Sequence, residues 1–187
     1  MKEETKNRRV KYTITALRNA LVQLLHEEHI SRISVKAICE LADINRSTFY
    51  AHFNDQYSLL HHIEQEVLNN IKEYLLQQDF DGSRPITHQV LCRILEYARA
   101  NVDLFKVLFS ENCGPGIQKE FIGFSQIAAL KLNKKYNKRV LEYLSLYATI
   151  GTISLLRKWL YDGMIESEEQ MAEYIMQAIY SGMSSFE

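Results

Sequence analysis

The chain has little of what interrupts regular structure: seven glycines and two prolines in 187 residues. Strand-and-turn architectures need turn residues at short intervals, so this scarcity favours a mostly helical chain. Cys39, Cys92 and Cys113 are far apart and odd in number, with no CxxC pair. Neither a disulfide framework nor a zinc site follows, and a reducing cytoplasm is the expected compartment. No apolar run approaches the roughly 18 residues of a membrane span. The start, MKEETKNRRVKYT, has no apolar core of signal-peptide type. Also lacking are a G-x-S-x-G elbow, a Walker loop and a Rossmann fingerprint. HEEH (26–29) sets His26 and His29 at i, i+3, not the i, i+4 of a zinc-protease helix, and His61 and His62 are adjacent, poorly placed for one shared metal. No nucleophile or paired acid and base completes a catalytic site. The expectation is a protein that is not an enzyme and holds no cofactor or metal.

What is present is a balanced globular composition, 47% hydrophobic and 24% charged, with net charge −1. The charge is unevenly distributed. Residues 1–60 carry nine basic and seven acidic side chains, and the remainder thirteen and sixteen. Lys2, Lys6, Arg8, Arg9 and Lys11 face only Glu3 and Glu4, a small basic N-terminal arm able to touch an anionic polymer locally.

From Thr13, apolar residues recur at Ile14, Leu17, Leu21, Leu24 and Leu25 with helical spacing. Ser34 suits the N-cap of a short helix whose apolar face is Val35, Ile38, Leu41 and Ala42. Asp43 tolerates the left-handed backbone of a tight turn, and Asn45 suits the next N-cap. The following helix runs to Phe53, with Ile44, Phe49 and Phe53 inward. Asp55 then opens a long helix striped by Leu59, Leu60, Ile63, Val67, Leu68, Ile71 and Leu75. After the loop-like QQDFDGSRPITH, further helices are expected at about 86–100, 102–110, 115–136, 138–162 and 167–183, with a break at NCGPG (112–116). The fold class is therefore all-α. A three-helix head (residues 1–54, including the arm) precedes a larger body (55–187) of about five to six helices.

Helix, short helix, three-residue turn and short helix make the helix-turn-helix plan, whose second short helix lies in the DNA major groove. With Phe49 and Phe53 inward, Arg46, Ser47, Tyr50 and Ala51 point outward, flanked by Thr48 and His52. Arginine pairs bidentately with guanine, and serine or threonine bonds base edges or phosphates. Tyrosine and histidine donate to phosphate oxygens. The first amides of the 35–42 helix, beside Lys36, suit a phosphate.

ISVKAICELADINRSTFYAHFNDQYSLL (33–60) resembles the DNA-binding signature of the TetR/AcrR family of bacterial transcriptional regulators, over about residues 8–62. The resemblance implies that Arg46 and Ser47 meet bases, that Thr48, Tyr50 and His52 grip the backbone, and that Val35 and Lys36 sit where the preceding helix begins against DNA. Asn45 opens the reading helix, and Arg8, Arg9 and Lys11 of the arm are expected to add phosphate contacts. Two positions depart from the family pattern: Asp43 stands for the turn glycine, and Gln56 for a phosphate-contacting lysine.

In the body, RVLEYLSLYATIGTISLLRKWLYDG and MAEYIMQAIYSGM are apolar on more than one face. A helix of that kind needs two partners, and a second copy of the chain is the simplest supplier. A two-fold homodimer through the helices at about 139–162 and 167–183, with Ala148 and Gly151 allowing close approach, would set two reading helices about 34–36 Å apart on a palindromic site. The resemblance implies a small-molecule pocket in the body, for which Tyr97, Phe105, Phe109, Phe121, Phe124, Tyr147 and Trp159 are candidates. GTISLLRKWLYDGMIESEEQMA also resembles the C-terminal region of one TetR-like subgroup. The whole reads as a cytoplasmic, homodimeric, DNA-binding regulator, a repressor released by a small effector, with a body that docks a partner protein as the alternative. Cys113, beside Gly-Pro-Gly, reads as the most exposed thiol.

Overall fold

The computed structural model describes residues 2–77, 86–123 and 137–183, with side chains from Arg8 to Ile179. The described residues are helical apart from short connections: α1 (Lys2–Leu25), α2 (Val35–Ala42), α3 (Arg46–Tyr50), α4 (Gln56–Leu76), α5 (His88–Ala100), α6 (Val102–Leu108), α7 (116–123), α8 (Lys138–Tyr161) and α9 (Glu168–Met183). A single 3₁₀ turn, Glu111–Cys113, follows α6. Among the described residues, no helix is long and apolar enough to cross a membrane.

Two compact units divide the chain: Met1–Glu66 with Ser110–Gly116, and Val67–Phe109 with Ile117–Glu187. In the first, Leu17 and Leu21 of α1, Ile38 of α2, Phe49 of α3 and Leu59 and Ile63 of α4 are fully buried. The caps follow the side-chain chemistry. Ser34 Oγ accepts from the Ala37 amide at 3.1 Å, and Asn45 Oδ1 accepts from the Ser47 amide at 2.9 Å. Asp43 closes α2 in the left-handed region (φ 53°). At α4, Asp55 Oδ1 accepts from the Ser58 amide at 2.7 Å while Ser58 Oγ accepts from the Asp55 amide at 3.1 Å, a reciprocal cap.

Three features differ from the sequence reading. The helix does not begin at Thr13; α1 runs back to Lys2. Residues 2–12 hold no Gly or Pro and are rich in Lys, Glu and Arg, good helix formers, so nothing stops propagation from the packed part of α1. The basic arm is thus the first turns of a helix. On α2, Leu41 is 43% exposed and Cys39 is buried instead. Positions 35, 38 and 39 share one helical face, and Leu41 lies off its edge. Cys113 is also buried, at 6% exposure, because Ser110–Gly116 packs into the first unit. There Asn112 Nδ2 donates to the Leu25 carbonyl at 2.8 Å, and the Ile30 amide donates to the Asn112 carbonyl at 2.9 Å. Burial, with Glu64 adding a smaller effect, pushes the Cys113 thiol up to about 12.

In the second unit α5 packs on α9 and α6 on α8. The corner after α8 explains the KWLYDGM run. The Met164 amide donates back to the Trp159 carbonyl at 2.8 Å, with Gly163 at φ 89°, the helix stop that favours glycine. Trp159 Nε1 donates to the Glu166 carbonyl at 3.1 Å, and Arg99 Nη2 donates to the same carbonyl at 3.0 Å while its guanidinium lies 5.0 Å from the Trp159 ring. Arg99 also pairs with Glu168. The motif forms the corner between α8 and α9.

Candidate nucleic-acid interface

Phe49 decides what α3 offers to solvent. Its ring is fully buried and lies 5.8 Å from Phe53, so the opposite side of this short helix must face outward. Arg46, Ser47, Tyr50, Ala51 and His52 are all exposed, and Thr48 is half-buried at the edge. Ser47 Oγ donates to Asn45 Oδ1 at 2.9 Å, so in this arrangement its hydroxyl shows lone pairs outward. Arg46 Nη2 donates to Tyr50 Oη at 3.5 Å, and the guanidinium carbon lies 6.0 Å from the Tyr50 ring centre. That bond favours the charged guanidinium and raises an already high pKa.

Alongside α3 an open concavity of about 700 Å³ is lined by Lys36, Cys39, Glu40, Asp43, Ile44, Asn45 and Arg46. Lys36 and Glu40 form an exposed i, i+4 pair at 3.7 Å. Glu40 is the charged residue of this lining that the sequence reading passed over. The spacing of Glu40 four residues after Lys36 was the available signal. The Val35 side chain is turned into the core, so outward it can offer only its backbone amide. Arg8, Arg9 and Lys11 are exposed on α1. Gln56 opens α4 half-buried.

In the second unit, rings form a chain: Tyr97 to Phe105 at 5.5 Å, Phe105 to Phe109 at 5.8 Å and Phe109 to Phe121 at 6.2 Å. Tyr97 Oη also accepts from Asn70 Nδ2 at 2.8 Å. Trp159 is buried in the α8–α9 corner, Tyr147 is 68% exposed, and Phe124 lies outside the described residues. Along α8, Tyr143, Tyr147, Ile150 and Tyr161 are exposed on one face, opposite the buried Leu141, Ser145, Leu156 and Trp159. A Cβ on Gly151, beside that stripe, would meet nothing within 4 Å. The outward face of α9 is more polar, with Glu173, Tyr174 and Gln177. Among the described residues, no group of three or more His, Cys, Asp and Glu is placed to hold a metal ion.

Residues 87–181 match the TetR_C_8 family, the transcriptional regulator C-terminal region. The chain belongs to the TetR family of transcriptional regulators. The all-helical fold agrees with solved relatives. A TetR transcriptional regulator from Streptococcus agalactiae 2603V is 22% identical with a TM-score of 0.66, covering 95% of this chain and 98% of its own. NalD, the secondary repressor of the MexAB-OprM multidrug efflux pump in Pseudomonas aeruginosa, is 19% identical with a TM-score of 0.70, covering 92% and 97%. DhaS, a dihydroxyacetone kinase operon activator, is 21% identical with a TM-score of 0.53, covering 92% and 96%. No curated protein matches the chain significantly. The family match lies mostly in the second unit of this TetR-family regulator, whereas the α2–α3 geometry supplies the argument for the first.

Proposed function

We propose that this TetR-family regulator acts in the cytoplasm as a homodimer that binds a palindromic DNA site through α3. It represses transcription until a small-molecule effector lowers its DNA affinity. Residues 1–54 serve DNA and residues 55–187 serve effector and partner copy. The observation that carries the reading is the outward set on α3: a guanidinium, a serine hydroxyl and a phenol, with Thr48 at the edge, capped by Asn45 and backed by buried Phe49. Dimerisation is supported by the apolar stripe Tyr143, Tyr147, Ile150 and Tyr161 on α8, which one copy leaves uncovered. The effector would bind in the second unit and favour a conformation with weaker DNA binding. Repression is the sign that NalD has; DhaS has the other, so the fold is compatible with both.

One observation favours a second reading. Tyr97, Phe105, Phe109 and Phe121 pack on one another, and rings so used serve as core before they serve as a pocket wall. In that reading a partner protein docks on the second unit in place of a small ligand. Selection of bound sequences from a random DNA pool with purified protein tests the main proposal. A palindrome is the expected result, and no enrichment at low salt refutes DNA reading.

A further inference from the structure

We propose that Tyr50 is a positioning residue: it aims Arg46 at one guanine per half-site while its own hydroxyl bonds a DNA phosphate, tying backbone register to base reading. This rests on the reading that the chain binds DNA through α3.

Arg46 and Tyr50 are one turn apart on the outward face of α3, joined by the 3.5 Å bond from Nη2 to Oη. Donor and acceptor roles run one way. A guanidinium only donates, so the phenol oxygen accepts. Its hydrogen then remains to be donated, and a phosphate oxygen only accepts. One hydroxyl thus serves both neighbours, and neither can reverse its role. The guanidinium spends one N–H on Tyr50 and keeps the others for the two-pronged contact with guanine O6 and N7.

The phenol can aim another side chain because it is itself held. Its ring stands edge-on to Phe49, 5.6 Å between centres at 85°, and Phe49 is fully buried. The position of Tyr50 is therefore set by the core of the first unit, and through Tyr50 so is that of Arg46. Lys36 and Asn45, at the same edge, have partners of their own. Lys36 pairs with Glu40 at 3.7 Å, and Asn45 Oδ1 accepts from Ser47. A phosphate grip alone would need neither the bond to Arg46 nor the guanidinium near the ring.

Tyr50→Phe is the test, since it keeps the ring and its Phe49 contact at a position 51% exposed. Circular dichroism establishes that the variant is folded. Binding is measured to the site selected from the random pool, to each single-base variant of that site, and to random DNA. Arg46→Ala locates the base pair that Arg46 reads. A good two-pronged contact discriminates roughly 5- to 150-fold against a wrong base. In Tyr50→Phe that discrimination is expected to fall about threefold or more at this base pair, with the other positions keeping theirs. The variant carrying both Arg46→Ala and Tyr50→Phe is expected to lose no further discrimination. Equal weakening toward the selected site and random DNA, with the guanine preference intact, overturns the proposal and leaves Tyr50 a phosphate contact. Unchanged binding overturns it as well. If the unaltered protein enriches no sequence at low salt, the DNA-binding reading falls together with this one.

Discussion

Replacing Gly116 with alanine tests the packing that draws residues 110–116 into the first unit. An added Cβ would lie 2.6 Å from Glu64 Oε1, 3.1 Å from Oε2 and 3.2 Å from Cδ. The first distance is too short for any real pair, so the carboxylate must move. It is the end of a flexible side chain, and on an open surface the move would cost little. Glu64 is only 6% exposed, however, so it must give up buried surroundings. Overpacking of this kind costs roughly 1–3 kcal/mol. No left-handed backbone is involved, so alanine regains about 0.4–1 kcal/mol by restricting the unfolded chain. The expected net loss is about 1–2 kcal/mol. At roughly 2–4 °C per kcal/mol for a chain of this size, the melting temperature drops by about 2–8 °C, read by circular dichroism. A double-mutant cycle makes the cause explicit. With Glu64→Ala the space is open and Gly116→Ala should be neutral or slightly stabilising. With Glu64→Gln, which keeps the shape, the cost should persist. A coupling near zero between Gly116→Ala and Glu64→Ala would refute the argument.

Four further outcomes are expected. Gln56→Lys adds one phosphate-reaching charge per protomer, so the log K against log salt slope of a dimer should steepen by about 1.8, and an unchanged slope removes Gln56 from the interface. Glu40→Gln releases Lys36 from an exposed pair and removes an acid from the concavity beside α3. Stability should change by less than about 0.5 kcal/mol while affinity for random DNA rises, and no rise at low salt counts against that concavity facing DNA. In the native protein at pH 8, Cys92 should react with a disulfide reagent well before the buried Cys39 and Cys113. The folded-state pKa of Cys113 is raised from 9.0 to about 12, so its contribution is intact below pH 9 and is lost as pH rises from there toward 12. Cys113→Ala should flatten that alkaline loss, and labelling of Cys113 as fast as Cys92 would contradict the burial.

What the sequence made legible was local chemistry. Ser34 and Asn45 are N-caps, and Asp43 is left-handed, because each effect reaches only two or three residues along the chain. The spacing of Phe49 and Phe53 sorted core from surface by helical period alone. The same method failed at Leu41, where the apolar face of α2 is narrow and Cys39 takes the inward position. It failed at the N-terminus because charge reads as an arm, although Lys, Glu and Arg also propagate helices well. Cys113 was misjudged for a different reason. Gly-Pro-Gly marks a turn, and turns are usually on the surface. Whether this one is covered depends on Asn112 reaching Leu25, 87 residues away, and no period along the chain encodes that.

The outward face of α3 shows the same division at higher stakes. That Arg46, Ser47 and Tyr50 point outward follows from the position of Phe49, and is therefore written in the sequence. Which of them would touch a base in the proposed complex depends on what restrains each. Tyr50 is restrained by an edge-on ring contact with its buried neighbour Phe49, and Arg46 by Tyr50 one turn later in the same helix. Ser47 is restrained by the residue that caps the helix. These restraints are short in sequence, yet they are matters of rotamer rather than of residue type. A sequence shows an arginine and a tyrosine at i, i+4; the structure shows the guanidinium donating to the phenol. If α3 reads DNA as proposed, specificity rests as much on what holds Arg46 as on Arg46 itself.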